Sequence, residues 1–214
     1  MIIETRAVLP FQKNGYVVAC ETTRKAVVID PGDEVDQLLH VVHGQSLDVE
    51  RILLTHAHVD HVTGVARAKH ALQVPVYLHR DDQFLYDAAP QQAEFFGLHC
   101  DPLPPIDRYY EIDELLSLGE YEVGVYHTPG HCPGGVCLAI GRRGAAKEDL
   151  FVGDTLFAGS IGRTDLPGGD YATLIGSITQ VLFGFGDAAR VYSGHGPETT
   201  IGRERRTNPF LASR

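Results

Sequence analysis

Three histidines and one aspartate lie within a six-residue segment that directly follows a short apolar run ending at Leu54. The four residues are His56, His58, Asp60 and His61. Side chains two positions apart on an extended chain point the same way, so His56 and His58 can bind one metal ion. Asp60 and His61 fall where the chain turns into the next predicted helix, and from there they can reach a second ion. Because buried imidazoles and carboxylates need partners, this segment predicts a metal site.

Three later segments each place one ligand-type side chain after a predicted strand. They contribute His131 in a loop rich in proline and glycine, Asp154 after an apolar strand, and His195 between two glycines. Each residue alone is a weak signal, since a single histidine in a glycine-rich turn usually has no function. A catalytic zinc takes about three protein ligands and keeps one position open for water. Ligand residues at four strand ends therefore predict a pair of ions.

The pattern of apolar runs and turn residues predicts a mixed α/β fold. Predicted strands cover residues 2–9, 16–20, 26–29, 51–54, 74–79, 121–126, 135–140, 150–152 and 191–192. Predicted helices cover residues 34–43, 61–72 and 171–183, with helical pieces in 81–98 that are broken at Pro90. Strands come first and then alternate with helices, twice in outline. This order favours two sheets packed face to face with helices outside, and residues 1–214 are predicted to form a single domain.

Charge and composition exclude several classes of partner. The net charge of −10 repels phosphate backbones, so we expect no nucleic-acid partner. No apolar run approaches the length of a membrane span, and the first residues lack the pattern of a signal peptide. The four cysteines form no CxxC pair, which is typical of a reduced cytosolic protein. We therefore predict a cytoplasmic protein without a membrane partner, and the sequence leaves its oligomeric state open.

The motifs HAHVDH, TPGH, GD and SGH occur in this order and resemble those of the metallo-β-lactamase superfamily. The resemblance extends from about Gly15 to Pro197. It implies the αββα sandwich, in which two mixed β-sheets are flanked by helices. It also implies how the ligands divide between two ions, with His56, His58 and His131 on the first, Asp60, His61 and His195 on the second, and Asp154 bridging both.

Within the superfamily, residues 154–165 resemble the branch that contains glyoxalase II and persulfide dioxygenase. Residues 204–211 resemble the end of bacterial glyoxalase II chains. The resemblance implies a binuclear hydrolase of thioesters, with S-lactoylglutathione or a related hydroxyacyl thioester as substrate. Asp154 and Asp60 are then the catalytic carboxylates. The cofactors are predicted to be two divalent ions, zinc first, with iron or manganese as alternatives that the same ligands accept.

Glutathione recognition needs groups that bind the carboxylates of the substrate. Glyoxalase II commonly carries a C-terminal helical domain that helps hold glutathione, and few residues follow His195 in this sequence. We expect arginines to offset the negative charge near the substrate carboxylates, and the candidates are Arg163, Arg203, Arg205 and Arg206. A solvated charged tail is an equally good interpretation of any one of them.

Other functions share parts of these motifs. A persulfide dioxygenase with a single iron is the main alternative, and a hydrolase of another ester or a lactone is the next. Nuclease activity disagrees with the acidic charge, and a purely structural metal protein disagrees with the complete ligand set. Metal content discriminates between the thioester hydrolase and the dioxygenase, because two ions per chain favour hydrolysis and one iron favours the dioxygenase.

Overall fold

The computed structural model describes residues 1–146 and 148–211. These residues form two compact units. The first unit contains Met1–Tyr110 together with Ser117–Glu120, and the second contains Glu111–Leu116 together with the chain from Tyr121 onward.

A mixed six-stranded sheet forms the first unit, and its strands follow the order of the sequence. The strands are β1 (Ile2–Val8), β2 (Lys13–Ala19), β3 (Lys25–Ile29), β4 (Asp48–Leu53), β5 (Val76–Leu78) and β6 (Arg108–Tyr109). Strands β1 to β3 pair antiparallel, and β3 to β6 pair parallel. Strand β2 is buried at every position, as in a sheet covered on both faces. In the parallel part of the sheet, β3 and β4 end at the same edge.

Four helices belong to the first unit, and they are α1 (Val35–Gly44), α2 (Val59–Val62), α3 (Val65–Leu72) and α4 (Gln83–Phe96). In α1 the buried residues Val35, Leu38, Val41 and Val42 recur at helical spacing, so the helix presents one apolar face. A single 3₁₀ turn, Arg80–Asp82, precedes α4.

Helix α4 corrects the prediction of a break at Pro90. The helix continues through this residue for six more positions. Proline lacks an N–H group, and inside a helix it costs about 3 kcal/mol or more. The helix nevertheless buries Leu85 and Tyr86 before Ala89, and Ala93 after the proline, all on one face. The burial of this continuous face explains why the chain stays helical.

Another mixed six-stranded sheet, in the order β14-β13-β10-β9-β8-β7, supplies most of the strands of the second unit. Its strands are β7 (Leu115–Leu118), β8 (Tyr121–His127), β9 (Val136–Arg142), β10 (Asp149–Gly153), β13 (Arg190–Ser193) and β14 (Thr199–Thr200). Strands β10 and β13 pair parallel, whereas β8 with β9, β9 with β10, and β13 with β14 pair antiparallel. A small hairpin is formed by β11 (Leu156–Phe157) and β12 (Ser160–Ile161).

The helices of the second unit are α5 (Tyr171–Gly176) and α6 (Ile201–Thr207). The helix predicted over 171–183 is therefore shorter, and a wide π-helical turn and then a tight 3₁₀ turn continue it to Phe185. The hydroxyl of Thr179 donates to the Ile175 carbonyl at 2.7 Å, and such bonds often bend helices. Leu174, Ile178 and Leu182 stay buried, so the apolar stripe survives the change in pitch.

The predicted fold class is confirmed, since the chain contains two mixed sheets with accompanying helices. In the part of the chain that the structure describes, every helix is too short or too polar to cross a bilayer.

Candidate metal centre

The first group of predicted ligands leaves the sheet of the first unit at the end of β4. The ring centroids of His56 and His61 lie 4.0 Å apart, and those of His56 and His58 lie 4.9 Å apart. Asp60 Oδ2 lies 3.9 Å from His61 Nε2. All three imidazoles are buried, and Asp60 is partly exposed. The short helix α2 begins within this group, which turns Asp60 and His61 toward the histidines of the preceding loop.

Asp30 joins this group, although the sequence analysis did not single it out. It follows β3, which is parallel to β4 and ends at the same edge of the sheet. Its Oδ1 accepts the Thr55 N–H at 2.7 Å, and its Oδ2 lies 3.0 Å from His61 Nδ1. An Nδ1–H that donates to a carboxylate leaves the Nε2 lone pair of the same ring for a metal ion. An aspartate directly after the neighbouring strand was the signal that could have revealed it.

Thr55 fixes the tautomer of His56 in a similar way. The Thr55 hydroxyl donates its only proton to Asp30 Oδ2. Its oxygen, 3.1 Å from His56 Nδ1, then acts as acceptor, so this nitrogen carries the proton. The lone pair of His56 is therefore on Nε2, the same atom as in His61.

Asp82 is a second buried carboxylate that the sequence analysis missed. It is fully buried, and its Oδ2 accepts the N–H of Ala57 at 3.0 Å. Because Ala57 separates His56 from His58, this bond holds the backbone between two predicted ligands. Nothing in the local sequence around Asp82 marks it for this role, since the contact spans 25 residues.

In the second unit, the three predicted ligands meet at one carboxylate oxygen. Oδ2 of Asp154 lies 3.7 Å from His131 Nε2 and 3.5 Å from His195 Nε2. These distances are long for hydrogen bonds. Two ligands of a tetrahedral zinc, each about 2.0–2.2 Å from the ion, are separated by roughly 3.3–3.6 Å. The two distances therefore suit a carboxylate that binds one metal ion together with His131 and another together with His195.

Backbone contacts hold Asp154 and His195 at the ends of β10 and β13, and His131 in the loop that follows β8. Gly194 N–H donates to the Gly153 carbonyl at 2.8 Å, which ties the residue before His195 to the residue before Asp154. Nδ1 of His131 lies 2.8 Å from the Arg163 carbonyl and donates to it, since a carbonyl is only an acceptor. His131 therefore also presents Nε2.

The chemistry of the donor set fits a divalent metal. Imidazole nitrogens and carboxylate oxygens, without thiolates, are ligands that zinc, iron and manganese accept. In the first unit, ligand atoms of Asp30, His56 and His61 lie within 4.8 Å of one another. A carboxylate or a threonine hydroxyl orients two of the histidines in this unit, which is typical of metal ligands.

The predicted substrate-binding arginines have partners within the second unit. Arg163 makes two hydrogen bonds to Asp165, at 2.7 and 2.8 Å, and they lower the pKa of Asp165 to about 2. Arg205 and Arg206 on α6 both pair with Asp187, at 3.0 and 3.1 Å.

Arg203 is also on α6, and its side chain is largely exposed. Arg205 additionally donates to the Phe183 carbonyl at 2.5 Å and lies over the Phe183 ring. Substrate binding by the four arginines stays a prediction.

Comparison with known proteins decides the family. Residues 8–195 match the sequence model described as the metallo-beta-lactamase superfamily. The chain belongs to this superfamily. Among its relatives, hydroxyacylglutathione hydrolase GloC from Haemophilus influenzae is 40% identical over 217 residues, which cover 100% of both chains.

Two solved structures extend the comparison to the fold. The B3 metallo-beta-lactamase BLEG-1 has a TM-score of 0.88 and 37% identity, covering 99% of this chain and 100% of its own. TTHA1623 in a di-iron-bound form has a TM-score of 0.85 and 43% identity, covering 97% of this chain and 100% of its own. Superfamily membership confirms the resemblance inferred from the motifs. The protein is a metal-dependent hydrolase with the metallo-β-lactamase fold.

Proposed function

We propose that this superfamily member is a binuclear hydrolase of thioesters whose substrate is S-lactoylglutathione or a related hydroxyacyl thioester. The observation that carries the proposal is the approach of two imidazole Nε2 atoms to one oxygen of Asp154. The proposed first site contains His56, His58 and His131. The proposed second site contains Asp60, His61 and His195, and Asp154 bridges the two.

Two bound divalent ions supply a Lewis acid for the thioester carbonyl and lower the pKa of a bound water to about 7. Asp154 and Asp60 would hold the ions, and a carboxylate oxygen not bound to metal could accept a hydrogen bond from the water and orient it toward the carbonyl carbon. Hydrolysis adds water across the C–S bond and releases a carboxylate and a thiol. The leaving sulfur needs little protonation, because thiols have pKa values of about 8.5.

The thioester assignment is supported by the GloC relative, which this chain matches along its whole length. Zinc is the proposed metal, and the di-iron form of TTHA1623 makes iron the first alternative.

Glutathione carboxylates are proposed to bind Arg163, Arg203, Arg205 and Arg206. The pairs that Arg163 and Arg205 make with aspartates are exposed. Exposed ion pairs contribute only about 0–1 kcal/mol, so a substrate carboxylate can compete with them.

A panel of substrates tests the proposal. The purified protein, loaded with zinc or with iron, is assayed with S-lactoylglutathione, a neutral thioester, a lactone and nitrocefin. Oxygen uptake is measured separately with glutathione persulfide. We expect the highest kcat/KM with a hydroxyacyl thioester. Preference for nitrocefin would assign the activity suggested by the name of BLEG-1, and oxygen uptake with one iron per chain would assign the dioxygenase.

A further inference from the structure

Lys13 and Glu34 form a buried ion pair in the first unit. Nζ of Lys13 lies 2.6 Å from Glu34 Oε1, and the two side chains are 3% and 1% exposed. Removing both charges from water is costly, and apolar residues in place of such pairs often leave stability unchanged or raise it. A contribution to stability therefore does not by itself account for this pair.

Both members of the pair also hold the turn that follows β3. Lys13 Nζ donates to the carbonyl oxygen of Asp30. Glu34 Oε1 accepts the N–H of Gly32 at 2.9 Å. Asp30 has a φ of 48°, a left-handed conformation that residues other than glycine rarely adopt. Such conformations persist where their surroundings enforce them, and here the pair binds the backbone on both sides of Pro31.

This turn is in direct contact with the chain that carries two of the proposed metal ligands. A Cβ on Gly32 would lie 2.1 Å from the Asp60 carbonyl oxygen and 2.8 Å from Lys13 Cε, so only glycine fits there. The Gly64 N–H donates to the Pro31 carbonyl at 3.1 Å. At the start of the turn, the carboxylate of Asp30 contacts His61 Nδ1. A shift of the turn therefore moves the Asp60 backbone and the His61 ring together.

From these contacts we infer that Lys13 and Glu34 are positioning residues that set the geometry of Asp60 and His61 through the Asp30–Gly32 turn. The inference rests on the proposed metal centre, in which Asp60 and His61 bind the second ion. The pair then controls the affinity of that ion more strongly than the affinity of the ion held by His56 and His58, because the turn reaches His56 only through Thr55.

Metal binding by the double variant Lys13→Met/Glu34→Gln separates positioning from a structural role. The double variant leaves no unpaired buried charge. The amide oxygen introduced at position 34 still accepts the Gly32 N–H, but the bond from position 13 to the Asp30 carbonyl is lost. Zinc is titrated into metal-free protein by calorimetry, and the thermal unfolding of the metal-free protein is measured in parallel. The control is Lys25→Met, which removes an exposed pair with Asp48 of the same 2.6 Å length.

We expect metal-free Lys13→Met/Glu34→Gln to unfold at a temperature close to that of the wild type. Its affinity for one ion should fall about 10- to 100-fold, the usual effect of removing a group that orients a metal ligand. The affinity for the other ion should fall less, and the Lys25→Met control should match the wild type.

Wild-type affinity for both ions in the double variant would overturn the inference, and so would an equal loss for both ions that follows a loss of thermal stability. A wild type that binds no zinc would overturn the metal centre and this inference together. A wild type that binds two ions but hydrolyses no thioester would overturn the proposed substrate alone.

Discussion

Replacing Gly162 with alanine tests how closely the chain after β12 packs against Asp154. A Cβ at this position would lie 1.8 Å from the Asp154 carbonyl oxygen and 3.2 Å from His131 Nδ1. Ordinary van der Waals contact begins at 3.4 Å, so the two chain segments must separate by roughly 1.6 Å. The contact is with backbone, and rotation of a side chain cannot relieve it. The alanine therefore displaces Asp154, the proposed bridging ligand.

A displacement of this size should affect both catalysis and stability. Misplacing a reacting group by about 1 Å can cost about 100-fold in rate, so we expect kcat/KM to fall at least that far. Inserting a methyl group into a packed region typically costs about 1–3 kcal/mol in the free energy of unfolding. The assays are the initial rate of S-lactoylglutathione hydrolysis at saturating zinc and urea unfolding of the metal-free protein.

Gly184→Ala is the matched control in the same unit. Among the described residues, no heavy atom beyond its chain neighbours and its own helical backbone lies within 4 Å of the Cβ that it would add, and its backbone is not left-handed. This variant should behave like the wild type. If Gly162→Ala also kept the wild-type kcat/KM and stability, the packing argument would be refuted.

Three further experiments address the ligands, their supports and the substrate. Asp154→Ala should abolish thioester hydrolysis, measured as kcat, with an unchanged circular dichroism spectrum, whereas His40→Ala on the exposed side of α1 should change neither. Asp30→Asn should weaken zinc binding about 10- to 100-fold, measured by competition with a chelator. The two carboxylate oxygens of Asp30 accept three hydrogen bonds, and the single amide oxygen of asparagine cannot replace them. For the wild type we expect a KM for the glutathione thioester near the top of the usual ~1 μM–1 mM range. Replacing Arg205 and Arg206 with glutamate should raise this KM and leave the KM for a neutral thioester unchanged. Equal changes for both substrates would show that the two arginines act through Asp187 and the fold.

Local spacing made part of the site predictable from the sequence. His56, His58 and His61 are close in sequence, and the strand before them is recognisable as an apolar run, so their convergence follows from the geometry of a strand end. The grouping of His131 and His195 around Asp154 was expected because each of the three follows a predicted strand, and strands β8, β10 and β13 do end at the same edge.

The supports of the site depend on contacts between distant parts of the chain. Asp30 reaches His61 across 31 residues, and Lys13 reaches Glu34 across 21. A prediction of these contacts needs the order and direction of the strands, which periodicity does not supply. Pro90 failed as a helix breaker for a comparable reason, since the buried face of α4 outweighs a local preference.

Zinc titration with a simultaneous activity measurement tests the central claim most directly. Metal-free protein receives zinc in steps, and S-lactoylglutathione hydrolysis and bound metal are measured at each step. The account predicts that activity continues to rise until two ions are bound per chain and is lost on chelation. Full activity at one ion per chain, or no hydrolysis with two ions bound, would contradict it.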